Sequence, residues 1–344
     1  MINNCHFGDC REVMRQLIAS GVKVQMCVTS PPYWGLRDYG VDGQLGLEKT
    51  PEEYIANMVG VFALVKDLLQ DDGTLWVNIG DSYTSGGKKT RYPGQSKLHP
   101  AFTGENNKTT TERPDTPNGL KPKDLVGIPW MMAFALRENG WYLRQDIIWH
   151  KPNPMPESVT DRPTRSHEYI FLLSKSPKYY YNSSAIREPI KDSSIARINQ
   201  PNFNNQTGGD KDYGENSNRS HRKTLTNFRD KQRGHSRRHD GFNDRWDKMT
   251  KEEQQKNGAN KRDVWTVPTK PYPEAHFATF PPELIEPCIL AGSKPGDIVL
   301  DPFFGSGTTG EVCQKLGRDW IGIELNPEYE PMQKKRTSQM GLLL

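Results

Sequence analysis

The sequence predicts an α/β fold, a parallel sheet with helices on both faces. Two observations predict it. Through the first third of the chain, short apolar runs alternate with stretches whose apolar residues recur at helical spacing. Near the other end, an apolar run passes through Gly305-Ser306-Gly307 straight into a helical pattern. A third observation limits the sheet: two long polar stretches, 84–123 and 191–262, interrupt the rhythm and read as insertions.

Taken in order, CHFGD reads as a strand and CREVMRQLIAS as a helix with Val13, Met14, Leu17 and Ile18 on one face. VQMCVTS is a buried strand. EEYIANMVGVFALVKDLLQ is a long helix that Asp71-Asp72-Gly73 should stop, and TLWVNIGD is the next strand. After the first insertion, DLVGIPWMMAFALREN predicts a helix, and WYLRQDIIWHK and EYIFLLSKS predict two strands. The last block begins near Val264. It holds PPELIEPCILAG (helix), DIVLDPFFGSG (strand and loop), TTGEVCQKLG (helix), RDWIGIELN (strand) and PEYEPMQKKR (helix). The domain reading is therefore 1–83, an insertion over 84–123, 124–190, an insertion over 191–262, and 263–344.

At 344 residues the chain can bury a full core. Only 34% of its residues are hydrophobic, which fits sizeable segments outside that core. No apolar run approaches the roughly 18 residues of a membrane span, and MINNCHFGDC has no signal-peptide character. The five cysteines form no Cys-x-x-Cys pair, so reduced thiols in a bacterial or phage-infected cytoplasm are expected, with no metal site. The net charge of +4 is uneven: 191–262 carries 17 Lys+Arg against 10 Asp+Glu. A basic excess on an otherwise slightly acidic body fits a polyanionic partner, and equally a solvated insertion.

TSPPYW, Thr29 to Trp34, ends a buried strand with two prolines that remove two backbone donors, followed at once by two large aromatics. IVLDPFFGSGTTG is a strand ending in Asp301, then a glycine loop, then a helix. Glycines admit a ligand against the main chain, and a helix N-terminus offers N–H groups to an anionic moiety. Glu324, ending the next strand, can accept from both hydroxyls of a ribose. Together these describe a nucleoside-bearing cofactor. The loop fits neither a dinucleotide fingerprint nor a phosphate loop.

SPPYW at 30–34, DPFFGSGTT at 301–309 and GIELN at 322–326 together resemble the DNA amino-methyltransferases, which modify the exocyclic nitrogen of adenine or cytosine. With SPPYW ahead of the glycine loop, the order resembles the β group, whose Rossmann-like methyltransferase sheet is circularly permuted. The resemblance covers 1–190 and 263–330 and requires the chain ends to meet. It implies S-adenosyl-L-methionine as cofactor, its methionine end held by Asp301, Phe304, Gly305, Ser306 and Gly307, its ribose by Glu324 and its adenine by Asp9. AHFATFPPEL at 275–284 resembles the segment over the methionine tail, with His276, Phe277 and Phe280 as candidates or as ordinary packing. The chain also looks like compact methylases carried by prophages.

An exocyclic amine is a poor nucleophile, because its lone pair is delocalised into the ring. Fixed acceptors for its N–H groups help it toward tetrahedral geometry. The resemblance gives these roles to the Ser30 hydroxyl and the Pro31 carbonyl, with Pro32 stiffening the backbone and Tyr33 as a stacking surface. The target base must leave the duplex, at a cost that stacking helps offset. Trp34, Trp149 and Lys151 are further base-pocket candidates, Trp149 equally a core residue. Asn78 or Asp81 could join them, or Asp81 could cap a turn. Double-stranded DNA is the expected partner. Arg233, Arg237 and Arg238, in RGHSRRHDGFNDRW, are candidate phosphate contacts. Ser30 is commoner in cytosine-N4 members of the family, yet the choice of base is near even, leaning slightly to adenine N6. An RNA methyltransferase and a catalytically dead DNA-binding protein are the competing readings. Monomer and homodimer both stay open.

Overall fold

The computed structural model describes residues 2–36, 40–84, 116–190, 195–196, 250, 253, 258–270 and 280–338. The chain divides into two compact units, Met1–Ala185 with Arg262–Leu344, and Ile186–Lys261. In the second unit the described residues include an antiparallel bridge, with Glu188 and Ala259 exchanging backbone hydrogen bonds of 2.9 and 2.8 Å.

Among the described residues, the first unit is built on eight strands: β1 (Asn4–Phe7), β2 (Val24–Thr29), β3 (Leu69–Ile79), β4 (Tyr142–His150), β5 (His167–Ser174), β6 (Val264–Thr266), β7 (Ile298–Asp301) and β8 (Asp319–Glu324). Their order in the sheet is β1-β8-β7-β2-β3-β5-β4-β6. From β1 to β3 every neighbouring pair is parallel, while β5 runs antiparallel to both β3 and β4. The first and last strands in the chain are adjacent, Asn4 opposite Ile321, with the Asn3 N–H donating to the Trp320 carbonyl at 2.7 Å. That adjacency is what a circular permutation needs.

Three helices, α1 (Cys10–Ala19), α2 (Pro51–Leu68) and α3 (Ile128–Glu138), pack side by side. Three more, α4 (Pro282–Gly292), α5 (Thr308–Lys315) and α6 (Glu330–Ser338), form a second set. The sequence explains α2 well. The Thr50 hydroxyl caps it by accepting from the Glu53 N–H, Pro51 opens it, and Tyr54, Ile55, Met58, Val61, Phe62, Val65 and Leu68 line its buried face. Each such side chain contributes about 1.5–3 kcal/mol on burial. Leu75, Val77 and Ile79 of β3 join that core, and the strand's alternation turns Thr74, Trp76 and Asn78 to the opposite face.

Several expectations shift. Helix α2 ends at Leu68 and β3 begins at once, so Asp71-Asp72-Gly73 lies within the strand, where the pairing with β2 slips between Val24 and Met26. Helix α3 starts at Ile128, because Gly127 adopts φ +86° and breaks the helical path before it. The short β6 has no sequence signal of its own and is recruited by pairing with Ile148–His150. No helix among the described residues is long and apolar enough to cross a membrane.

Candidate active site

Strands β2 and β7 are neighbours at the middle of the sheet, Met26 opposite Val299 and Cys27 opposite Leu300. The helix after β7 belongs to one helical set and the helix after β2 to the other. Their C-terminal ends therefore flank the crevice where α/β sheets receive ligands. TSPPYW leaves one end and the glycine loop leaves the other.

Asp301 joins them. Its Oδ1 accepts from the Thr29 hydroxyl at 2.6 Å and the Phe303 N–H at 3.1 Å, and its Oδ2 from the Thr309 hydroxyl at 2.6 Å. Only 1% of Asp301 is exposed. Burial pushes its carboxyl up to about 6, against the pull of those donors. The sequence reading put Asp301 among the groups holding a ligand. The structure puts it beneath the loop, tying the two stretches together, with its bonds made inside the protein.

The glycine loop takes its shape from Gly305 at φ +51° and Gly307 at φ +88°. Open space lies beside Gly305, where an added Cβ would meet nothing closer than 3.9 Å. Helix α5 begins at Gly307 with no side chain capping its first N–H groups. Glu324 closes the far side: its Oε2 accepts from the Gly305 N–H at 2.8 Å and its Oε1 from the Asn326 N–H at 2.9 Å. Burial raises this carboxyl, and the two backbone donors oppose the rise. Asp9 lies just beyond β1, and β1 pairs with β8 so that Phe7 is opposite Glu324. Its carboxylate caps α1, accepting from the Arg11 N–H at 2.8 Å, and forms an ion pair with the Arg11 guanidinium, which holds it below the usual range.

Phe304 is corrected. Its ring is 3% exposed, stacks on Trp320 at 4.8 Å and covers Gly322, where an added Cβ would come within 2.4 Å of it. It is a floor under the loop. The half-buried aromatic is its neighbour Phe303, which sequence reasoning passed over although Phe303, Gly305 and Gly307 stand at alternate positions. Ser306 is also buried, its hydroxyl taken by Arg336 at 2.5 Å. Arg336 further donates to the Thr308 hydroxyl at 2.6 Å and forms an ion pair with Glu311 at 3.0 Å, and Gln333 donates to the Gly305 carbonyl at 2.7 Å. These α6 residues were missed as well. Nothing in a short, polar helical stretch says that it braces a loop thirty residues upstream. His276 and Phe277 lie outside the described residues.

On the other side, Ser30, Pro32 and Tyr33 are half-buried and Pro31 is buried. Tyr54, fully buried in α2, donates to the Pro32 carbonyl at 2.8 Å, whereas among the described residues no hydrogen bond reaches the Pro31 carbonyl. The Tyr33 ring lies against Gly80, where an added Cβ would be 2.7 Å from Cε2. Its hydroxyl donates to Glu168 Oε2 at 2.8 Å. Burial first, then the Glu168 charge, pushes the phenol well above its ordinary value. The Asn78 amide donates to Glu168 Oε2 at 3.3 Å and to the Tyr169 carbonyl at 3.1 Å. The Lys151 ammonium forms an ion pair with Glu168 and lies 4.2 Å from the centroid of the Trp149 ring. Because β5 opposes β3 and β4, its first residues, including Glu168, meet the ends of both at this edge.

Two aromatic candidates are buried with their indole N–H groups engaged. Trp34 is 5% exposed and donates to the Glu48 carbonyl at 2.9 Å; Trp149 is 3% exposed and donates to the Val267 carbonyl at 2.8 Å. Both are core, since each indole can be buried once its N–H has a partner. Asp81 caps α3, its Oδ1 accepting from the Gly127 and Ile128 N–H groups at 2.9 and 3.0 Å. Arg233, Arg237 and Arg238 lie outside the described residues.

The family model described as DNA methylase matches residues 24–335. The Type II methyltransferase M.Cfr9I of Citrobacter freundii is 49% identical over 94% of this chain and 83% of that protein. The PvuII DNA methyltransferase (cytosine-N4-specific) superposes with a TM-score of 0.56 at 16% identity, over 98% of this chain and 87% of that one. A Thermus thermophilus protein described as a putative DNA modification methylase, complexed with S-adenosyl-L-methionine, gives a TM-score of 0.51 at 23% identity. That match covers 97% of this chain and 94% of the other.

Proposed function

This chain belongs to the DNA methylase family, and from that premise we propose that it uses S-adenosyl-L-methionine to methylate the exocyclic N4 of cytosine in DNA. The observation that carries the reading is the clamp at Asp301, which fastens the ends of β2 and β7 together and so sets SPPYW beside the glycine loop.

The residues fit the cofactor. The positive-φ glycines leave backbone exposed beside open space, α5 presents uncapped N–H groups, and Glu324 keeps a carboxylate at the neighbouring strand end. Gly305, Gly307 and the half-buried Phe303 would hold the methionine part, Glu324 the ribose hydroxyls, and the surroundings of Asp9 the adenine. When bound, S-adenosyl-L-methionine supplies an electrophilic methyl group.

The remaining work belongs to the chain. Ser30 and the Pro31 carbonyl accept from the base's amino group and draw its lone pair out of the ring. The Tyr33 ring, immobilised against Gly80 and by Glu168, stacks on a base taken out of the duplex. In-line transfer then needs only that the two strand ends stay in register, which the clamp provides.

Cytosine is favoured over adenine by the donors around Tyr33. Lys151 is a largely covered ammonium with donors beyond the one that meets Glu168. Cytosine has a carbonyl oxygen on its ring to receive such a donor, where adenine has a C–H. That tips the near-even choice away from the slight lean to adenine, in keeping with Ser30 at the head of the motif. Digesting DNA treated with the protein and labelled cofactor, then separating the nucleosides by mass spectrometry, tests this. N4-methylcytosine is expected, and N6-methyladenine alone would reverse the choice of base.

A further inference from the structure

We propose that Met155 is a wedge that enters the DNA stack at the place the target base vacates, holding the duplex open while that base lies against Tyr33. The inference rests on the reading above that a base leaves the duplex to be methylated.

A base taken out of the stack leaves a gap, and collapse of the gap returns the base. Proteins that pry a duplex apart insert apolar side chains between base steps, methionine among them. An unbranched, polarisable thioether suits the faces of flat rings.

A single exposed apolar residue is ordinary on a protein surface. Met155 is set apart by how it is held and where. It is 84% exposed, yet the loop that carries it, 151–166, is fastened at its base and on both flanks. At the base, the Lys151 N–H donates to the Ser166 carbonyl at 2.7 Å. Before Met155, the Asn153 amide donates to the Thr269 carbonyl at 3.1 Å, and its oxygen accepts from the Thr269 N–H at 2.9 Å. After it, Glu157 Oε2 accepts from the Arg162 guanidinium at 2.7 Å and the Arg165 N–H at 3.2 Å. Arg165 in turn donates to the Asp81 carbonyl at 2.7 Å, and the Arg162 guanidinium lies 3.9 Å from the centroid of the Tyr83 ring. Pro152, Pro154 and Pro156 fix φ at alternate positions. Little backbone freedom is left to lose when the side chain meets a partner.

The loop joins β4 to β5 at the edge where β3 also ends. Its first residue, Lys151, is ion-paired with the Glu168 that holds the Tyr33 hydroxyl. Four residues on, the Met155 Cα lies within about 14 Å of that of Lys151. One end of the loop therefore touches the proposed base pocket, and its apolar tip stands outside in water.

Met155→Ala removes the wedge, and Met155→Leu keeps an apolar one. The methylated position is first mapped on plasmid DNA treated with the parent, and a duplex oligonucleotide of that sequence is the probe. Single-turnover methyl transfer should fall about tenfold or more in Met155→Ala and stay within about threefold of the parent in Met155→Leu. A fluorescent purine analogue at the target position, which brightens on leaving the stack, should be dimmer with Met155→Ala than with the parent or Met155→Leu. S-adenosyl-L-methionine affinity and the unfolding midpoint should hold in both variants, because the side chain lies in water.

Unchanged transfer or unchanged brightness in Met155→Ala, an equal loss in Met155→Leu, or a loss of cofactor affinity would each overturn the proposal. A parent that makes N6-methyladenine overturns the choice of base alone, and the same variants are then read at that adenine. A parent that methylates no DNA overturns the function and the wedge together.

Discussion

The two halves of the crevice are held in shape by different means. On the side proposed for the cofactor, the loop owes its path chiefly to its own backbone, with glycines at positive φ, an uncapped helix start and Glu324 bonded to the Gly305 N–H, and Gln333 and Arg336 brace it from α6. On the side proposed for the base, SPPYW is stiff along the chain but Tyr33 is steered from afar. Tyr33 depends on Gly80, Asn78 and Glu168, with Lys151 behind Glu168. A surface for a cofactor needs exposed main chain held in shape. A surface for a base that arrives from a duplex needs a ring at a fixed angle and acceptors of fixed polarity, and these take side chains from several strands.

The contrast can be broken at its strongest point with Tyr33→Ala, which removes the stacking surface and the hydroxyl that meets Glu168. Methyl transfer to DNA should fall at least about 100-fold, with cofactor binding by calorimetry close to that of the parent. A matching loss of cofactor affinity would mean that the halves are not separate. The reciprocal change is Gly307→Val, which forces a β-branched residue into φ +88°. Here cofactor affinity should weaken about tenfold or more, the strain being on the order of 1–3 kcal/mol, and DNA binding by anisotropy should be spared.

Arg336→Ala sharpens the cofactor half, because it removes the brace on Ser306, Thr308 and Glu311. A loss of about 1–3 kcal/mol in denaturant unfolding should come with a several-fold weaker cofactor complex. The smallest effect tests the clamp. The folded-state value of Asp301, about 6, lies above its ordinary 3.8, so this group favours the folded state at low pH. That contribution is full below about pH 4 and is lost as pH rises through 6, at most about 3 kcal/mol. Asp301→Asn should flatten that segment of the stability–pH curve between pH 4 and 7, and an unchanged curve would deny the shift.

The same contrast explains how much could be read from the sequence. The strand–glycine–helix stretch at 298–315 and the proline-stiffened end of β2 declare themselves, because local backbone constraints leave local marks. The alternation of strands and helices gave the sheet, and the order of motifs gave its permutation. What stayed hidden depends on tertiary placement. Glu168 looks like one acid before an apolar strand, and it matters only because β5 runs antiparallel and begins at the edge where β3 and β4 end. Trp34 reads as a pocket aromatic and Trp149 as either pocket or core, since nothing local says that each indole N–H meets a buried carbonyl. Phe304, not its neighbour Phe303, fills the slot over Gly322, and adjacent aromatics do not show locally which ring will be buried.

The most direct measurement follows labelled methyl from S-adenosyl-L-methionine into plasmid DNA in a single turnover, for the parent chain and for Tyr33→Ala, with cofactor affinity taken on the same preparations. The account predicts a methylated base from the parent, little from the variant, and equal cofactor affinity in both. Equal labelling by the two proteins, or no methylated base from the parent, would contradict it.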